Sequence, residues 1–189
     1  LSECIFYFPK IEDCSFVDCN LYATNFNGSQ IKDCKFKGRV DSPWFKGYPV
    51  NVHTSLLGFF NRINPKDFPN RMENVDFSEA DLIGVNFTHG IDLSHCIFPH
   101  DESKYILVKD LRSVYTKAKE VIDTEWFGED KRKGLGFVEK IFFNTDHQDQ
   151  QMDLIDKSFL VDGGKDQEFG DRLFNLIREI NLHMRIVAQ

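Results

Sequence analysis

The sequence is poor in several things that would point quickly to a function. It has two Trp, three Met and six Pro in 189 residues. It contains no run of about 18 apolar residues, the length a helix needs to cross a bilayer, so no spanning helix and no membrane partner are expected. Positive charge is also in deficit: 23 Lys and Arg against 30 Asp and Glu leave a formal net charge of −7. Nucleic-acid binders usually carry a basic stripe, so direct binding to DNA or RNA is not expected. The five cysteines, at 4, 14, 19, 34 and 96, are odd in number and form no CxxC pair. Without an evident secretory apolar segment, they suggest a reducing, cytoplasmic setting and give no sign of a zinc site. GxGxxG, GxxxxGK(S/T), HExxH and GxSxG are all missing, and with them the common devices for nucleotides and hydrolysis.

Phe is abundant instead, with 19 copies against five Tyr. Such an excess of one rigid apolar side chain suggests a position filled repeatedly. Counting in fives from Leu1 reaches Phe6, Ile11, Phe16, Leu21, Phe26, Ile31 and Phe36. Two residues before each of these, from Phe6 onward, stand Cys4, Pro9, Cys14, Cys19, Thr24, Ser29 and Cys34, nearly all small. A strict pitch of five fits neither the 3.6 of a helix nor the 2 of an alternating strand. It fits a solenoid in which the large residue points to the axis, the small one tucks beside it and the others, Asn27 and Gly28 among them, face water. Leu1 falls in register, so residues upstream of it are expected to have been removed or left out.

The series slips by one residue after Phe36 and continues through Val40 and Phe45. It resumes at Met72, Phe77, Leu82 and Phe87 and, after one added residue, ends with Leu93 and Phe98. The stretches CSFVDCNLYATNFNGSQIKDCKF and VDFSEADLIGVNF resemble the A(D/N)LXX pattern of pentapeptide-repeat proteins. The resemblance covers roughly residues 1–45 and 70–98. It implies a right-handed quadrilateral β-helix, here of about four coils and on the order of 19 Å long at the usual strand spacing. The expected fold is therefore a mainly β solenoid plus α: a repeat domain over 1–98, interrupted at 46–69, and a helical region over 99–189.

The insert carries three prolines and an apolar knot at Leu56, Leu57, Phe59 and Phe60. Such a knot is expected to pack on the rod, on the helices or on a partner, and is the candidate interaction surface. Beyond Pro99 helical spacing takes over. A first helix is expected from about Asp101 through Leu107, Leu111, Val114 and Ala118 to Trp126, with others near 130–143, 147–160 and 166–186. These helices are expected to cap the open solenoid end or to bind a partner themselves.

Little reactive chemistry is in view. The cysteines lie in the small inward series and should be buried and inert. His89, His95, Cys96 and His100 are ligand types, but inward and outward positions would not converge on one ion. Residues 162–166 read as a turn rather than a calcium loop. The basic cluster at 131–133 reads as a solvated helix start. No catalytic, cofactor or metal residue is therefore assigned. The expected role is a non-enzymatic protein-interaction scaffold with a protein partner of unknown identity, and a homodimer through a rod end or the helices is the further possibility weighed. One alternative, implied by the resemblance, is DNA mimicry directed at a gyrase-type enzyme, although residues 1–98 carry only 12 acidic against 9 basic side chains. A second is an enzyme housed in the helical region, with a polar pocket beneath Tyr115 and Trp126.

Overall fold

The computed structural model describes residues 3–50, 64–143, 149–161 and 166–187. The chain divides into two units, Leu1–His100 and Asp101–Gln189.

The first unit is a solenoid-like stack of short parallel strands: β1 (Ile5–Tyr7), β2 (Lys10–Glu12), β3 (Ser15–Val17), β4 (Asn25–Asn27), β5 (Gln30–Lys32), β6 (Lys35–Asp41) and β7 (Trp44–Lys46), then β8 (Val75–Ile83), β9 (Asn86–Thr88) and β10 (Cys96–Ile97). The chain meets itself after four five-residue steps, so that Phe6 lies opposite Phe26, Ile11 opposite Ile31 and Phe16 opposite Phe36. One sheet runs β1-β4-β7-β9 and another β3-β6-β8-β10. The pairing of β6 with β8 extends to Val40 opposite Leu82.

This register sorts the core by side-chain type. Phe6, Phe26, Phe45 and Phe87 form one stacked column, with ring centroids 5.2, 4.8 and 5.5 Å apart. Phe16, Phe36, Phe77 and Phe98 form a second, at 4.6, 4.8 and 5.7 Å. Strands about 4.8 Å apart leave in-register rings little choice but to stack. The two columns meet edge to face, as in Phe36 on Phe45 at 5.7 Å and Phe77 on Phe87 at 6.1 Å. Both geometries suit the ring quadrupole, at about 0.5–1.5 kcal/mol per pair beyond burial. Ile11, Leu21, Ile31, Val40, Met72, Leu82 and Leu93 are buried as well, while Phe6 and Phe16 in the first turn are half-buried. Leu1 lies outside the described residues.

Sharp corners separate the steps, each made by a residue with positive φ two places after a core residue: Asp13, Asp18, Ala23, Gly28, Asp33, Gly38 and Ser42. Asp tolerates this region better than most L residues because its short side chain bonds locally. Corner amides tie one turn to the next: Asp13 N–H donates to the Lys32 carbonyl at 3.2 Å and Asp18 N–H to that of Lys37 at 3.0 Å. The slip after Phe36 appears as a bulge between β6 and β8, where Lys35 faces Asp76 but Lys37 faces Glu79. One extra residue on β8 absorbs the difference.

The second unit comprises β11 (Tyr105–Val108), α1 (Leu111–Glu125), α2 (Gly128–Phe143), β12 (Asp153–Asp156), α3 (Lys157–Leu160) and α4 (Gln167–Val187). It differs from the helical reading in two places. The first helix begins at Leu111, where the Asp110 carboxylate accepts from Ser113 N–H at 3.0 Å. Leu107 instead sits in a strand that pairs antiparallel with β12. Of the expected third helix, Asp153–Asp156 is that partner strand and Lys157–Leu160 is helical. In both places a short, nearly continuous buried run, YILV and DLID, favours a strand over a helix of one wet face. The core joins Val114, Tyr115, Ala118 and Ile122 of α1 to Leu173, Phe174 and Ile177 of α4.

Candidate interaction surface

The insert is joined to the first unit by buried polar side chains, one of which, Asn27, the repeat pattern assigns to water. Strand β7 runs through Lys46, which is opposite Thr88, and Gly47 N–H still donates to the Thr88 carbonyl at 2.9 Å. The chain then departs. Asn27, only 3% exposed, grips it by its peptide groups: its Oδ1 accepts from Val50 N–H at 2.8 Å, and its Nδ2 donates to the Val50 carbonyl at 2.7 Å. Asn27 and Gly28 are thus buried, contrary to the expectation of solvent exposure, because the departing arm covers them. Gly28 has φ +71°, and a Cβ there would stand 2.9 Å from Pro49 Cβ.

The returning arm is seated by Asn70, which is 1% exposed. Its Oδ1 accepts from both Ile31 N–H and Met72 N–H at 3.3 Å, and its own N–H donates to the Gly47 carbonyl at 2.7 Å. The side chain stands in for the backbone acceptor that a regular strand would supply to Ile31. Its Nδ2 is buried without a partner.

Aromatic contacts hold both arms. Phe68 meets Phe8 edge-on at 5.9 Å, Tyr48 meets His89 edge-on at 5.3 Å, and Lys66 lies over the Tyr48 ring at 5.3 Å. That last contact links the outgoing arm to the returning one, and cation–π pairs at exposed sites contribute about 0.5–1 kcal/mol. Phe8 adopts φ 55°, an unusual conformation for a bulky residue, at the corner beneath Gly28 and Pro49. Leu56, Leu57, Phe59 and Phe60, the candidate contact residues, lie outside the described residues.

Beside the returning arm two open grooves, of about 310 and 530 Å³, share Lys32, Arg71 and Glu73. The remaining lining adds acidic side chains to each, Glu12 and Asp67 in one and Asp33 and Asp92 in the other. On β6 and β8 the charges alternate: Lys35 bonds Glu79 and lies 3.5 Å from Asp76, and Lys37 lies 2.8 Å from Glu79. The hydrogen bond to Glu79 raises the Lys35 pKa, and the same contact lowers that of Glu79.

The ligand-type residues near the end of the unit do not converge. His89 Nδ1 lies 2.8 Å from Thr88 Oγ1, and the Cys96 thiol lies 3.7 Å from the Met72 carbonyl. Burial pushes the Cys96 pKa up to about 12, with the nearby Asp92 adding to the shift. Among the described residues no group of three or more His, Cys, Asp or Glu could hold a metal ion. Of the other cysteines Cys34 is buried as expected, whereas Cys4 and Cys19 are only partly so and Cys14 is exposed. Cys14 sits in the first turn, where the next core residue, Phe16, is itself only half-covered.

In the second unit the basic cluster is tied down by carboxylates, Lys131 to Asp123 at 2.9 Å and Lys133 to Asp166 at 2.6 Å. Arg172 stacks over Trp126, 4.0 Å from the ring centroid, and bonds Asp130 at 3.0 Å. Tyr115 is fully buried and its hydroxyl has no partner. Burial raises its pKa, and the Asp153 carboxylate adds to the shift.

Neither asparagine is marked by the five-residue pitch. Gly28 was the one available signal, since a glycine at a corner that Asp fills elsewhere also permits a close approach. The family described as pentapeptide repeats matches residues 1–38, in eight copies. No curated protein and no solved structure matches the chain.

Proposed function

We propose that this chain, whose N-terminal region carries pentapeptide repeats, is a non-enzymatic protein-interaction scaffold. In this reading a right-handed, four-sided rod of about four coils is the rigid support, and the insert is the element that meets the partner through Leu56, Leu57, Phe59 and Phe60. The observation that carries the reading is the pair of buried asparagines, Asn27 and Asn70, that fix both arms of the insert to the rod. Anchoring of this kind lowers the entropy lost when a loop binds, because its ends are already ordered. The alternating charges of Lys35, Lys37, Asp76 and Glu79 fit a protein partner better than a DNA-like surface, which would be uniformly acidic.

The test compares the unaltered chain with Leu57→Asp and Phe60→Asp in cross-linking and co-purification. A discrete partner recovered in fixed stoichiometry, lost with both variants and kept with Lys119→Glu on α1, is the expected result. Equal recovery by all the variants contradicts the assignment of the insert.

A further inference from the structure

Cys14 and Cys34 occupy the same place in successive turns. The residues that follow them, Ser15 and Lys35, are paired, and Lys35 N–H donates to the Cys14 carbonyl at 2.9 Å. Adjacent parallel strands place such residues about 4.8 Å apart, within the roughly 4.4–6.8 Å between Cα atoms that a disulfide spans. The thiols turn the same way: Cys14 Sγ donates to the Glu12 carbonyl and Cys34 Sγ to that of Lys32, each at 3.1 Å. Cys34 Sγ also lies 3.4 Å from the Ile11 carbonyl, so it reaches back to the turn that carries Cys14. Cys96 instead faces Val75, and Asn25 N–H bonds the Cys4 carbonyl, which puts Thr24 in the place that corresponds to Cys4.

We propose that Cys14 and Cys34 form a redox pair, a modification site that is oxidised to an intramolecular disulfide by a low-molecular-weight disulfide. Exposure assigns the roles, since Cys14 is exposed and Cys34 is only 2% exposed. The Cys14 thiolate attacks one sulfur of the reagent, expels a thiolate and becomes a mixed disulfide. Cys34 then gives its proton to water, and its sulfur attacks the Cys14 sulfur and expels the second thiolate. Both leaving thiolates take up protons, so two protein thiols are oxidised while one reagent disulfide is reduced to two thiols. Burial raises the Cys34 pKa, which suits a thiol that reacts only once a neighbouring mixed disulfide is presented to it. In-register Cβ atoms about 4.8 Å apart must close to roughly 3.5–4.5 Å, and Phe16 beside Cys14 is only half-buried. The bond ties the first turn to the second.

The full chain, fully reduced, is incubated with glutathione disulfide, then alkylated under denaturing conditions and mapped by mass spectrometry. Two of the five thiols should be lost, a linked peptide should join positions 14 and 34, and dithiothreitol should restore all five. Cys34→Ser should stop at a mixed disulfide on Cys14, and Cys14→Ser should leave Cys34 free. Retention of five thiols, a link between any other pair, or a mixed disulfide on Cys14 as the end product in the unaltered chain overturns the proposal.

Discussion

Phe36 stacks on Phe77 with ring centroids 4.8 Å apart, although the whole insert lies between them in sequence. The same ring stacks on Phe16 at 4.6 Å, one turn earlier. A ring held on both flat faces and met edge-on by Phe45 has no slack in which to relax. The insert leaves the column unbroken because it departs at one corner and returns beside it.

Phe36→Ala should therefore destabilise the first unit by about 3–5 kcal/mol, the usual cost of emptying a core aromatic site. Phe6→Ala should cost clearly less, since Phe6 is half-buried and, among the described residues, stacks on Phe26 alone. Urea unfolding of both variants checks the ordering. Equal losses would mean that the two columns do not have the ends assigned to them.

Asn70→Ala removes the acceptor for Ile31 N–H and Met72 N–H while leaving both where water cannot reach easily. An unmet buried donor costs about 1–3 kcal/mol, so a loss in that range or somewhat above is expected. Amide exchange at Ile31 and Met72 should quicken more than at Phe26. Unchanged exchange at those two amides would remove Asn70 from its role as the anchor of the returning arm.

Asp153 gives the second unit a pH dependence. Burial raises its pKa to about 7, against a partial offset from the hydrogen bond with Leu154 N–H. Its folded pKa thus exceeds the unfolded value, so the folded state binds the proton more tightly. The associated stability is complete below an ordinary carboxylate pKa of about 4 and is lost as pH rises through about 7, on the order of 4 kcal/mol in all. Unfolding followed by Trp126 fluorescence should show lower stability at pH 8 than at pH 5, and Asp153→Asn should flatten that difference. Greater stability at pH 8 in the unaltered chain would reverse the sign and refute the assignment. Tyr115→Phe, which deletes a hydroxyl with no partner, should cost nothing.

Much of the first unit is legible from the five-residue pitch, since a Phe or aliphatic residue at each fifth place dictates both burial and register. The alternation of Phe with Ile, Leu, Val or Met along that series is also in the sequence, and four steps per return bring all the Phe residues onto two opposite columns. Pairings such as Phe36 with Phe77 were harder to see, because a bulge and an insert separate the two blocks. Tyr105–Val108 was misread because Leu107 and Leu111 happen to be four apart. Beyond Gly28 beside the first of them, Asn27 and Asn70 carry no local signal: their roles exist only because two distant arms come to lie against them. The exposure of Cys14 likewise depends on its turn, not on its place in the repeat.

The most direct measurement replaces residues 51–63 with a Gly-Ser linker of equal length in the full chain, and follows both unfolding and partner recovery. The rod should unfold at nearly the same urea concentration, since Asn27, Asn70 and the two Phe columns remain, while the partner should be lost. Retention of the partner, or collapse of the first unit's unfolding transition, would contradict a rigid support that presents the insert.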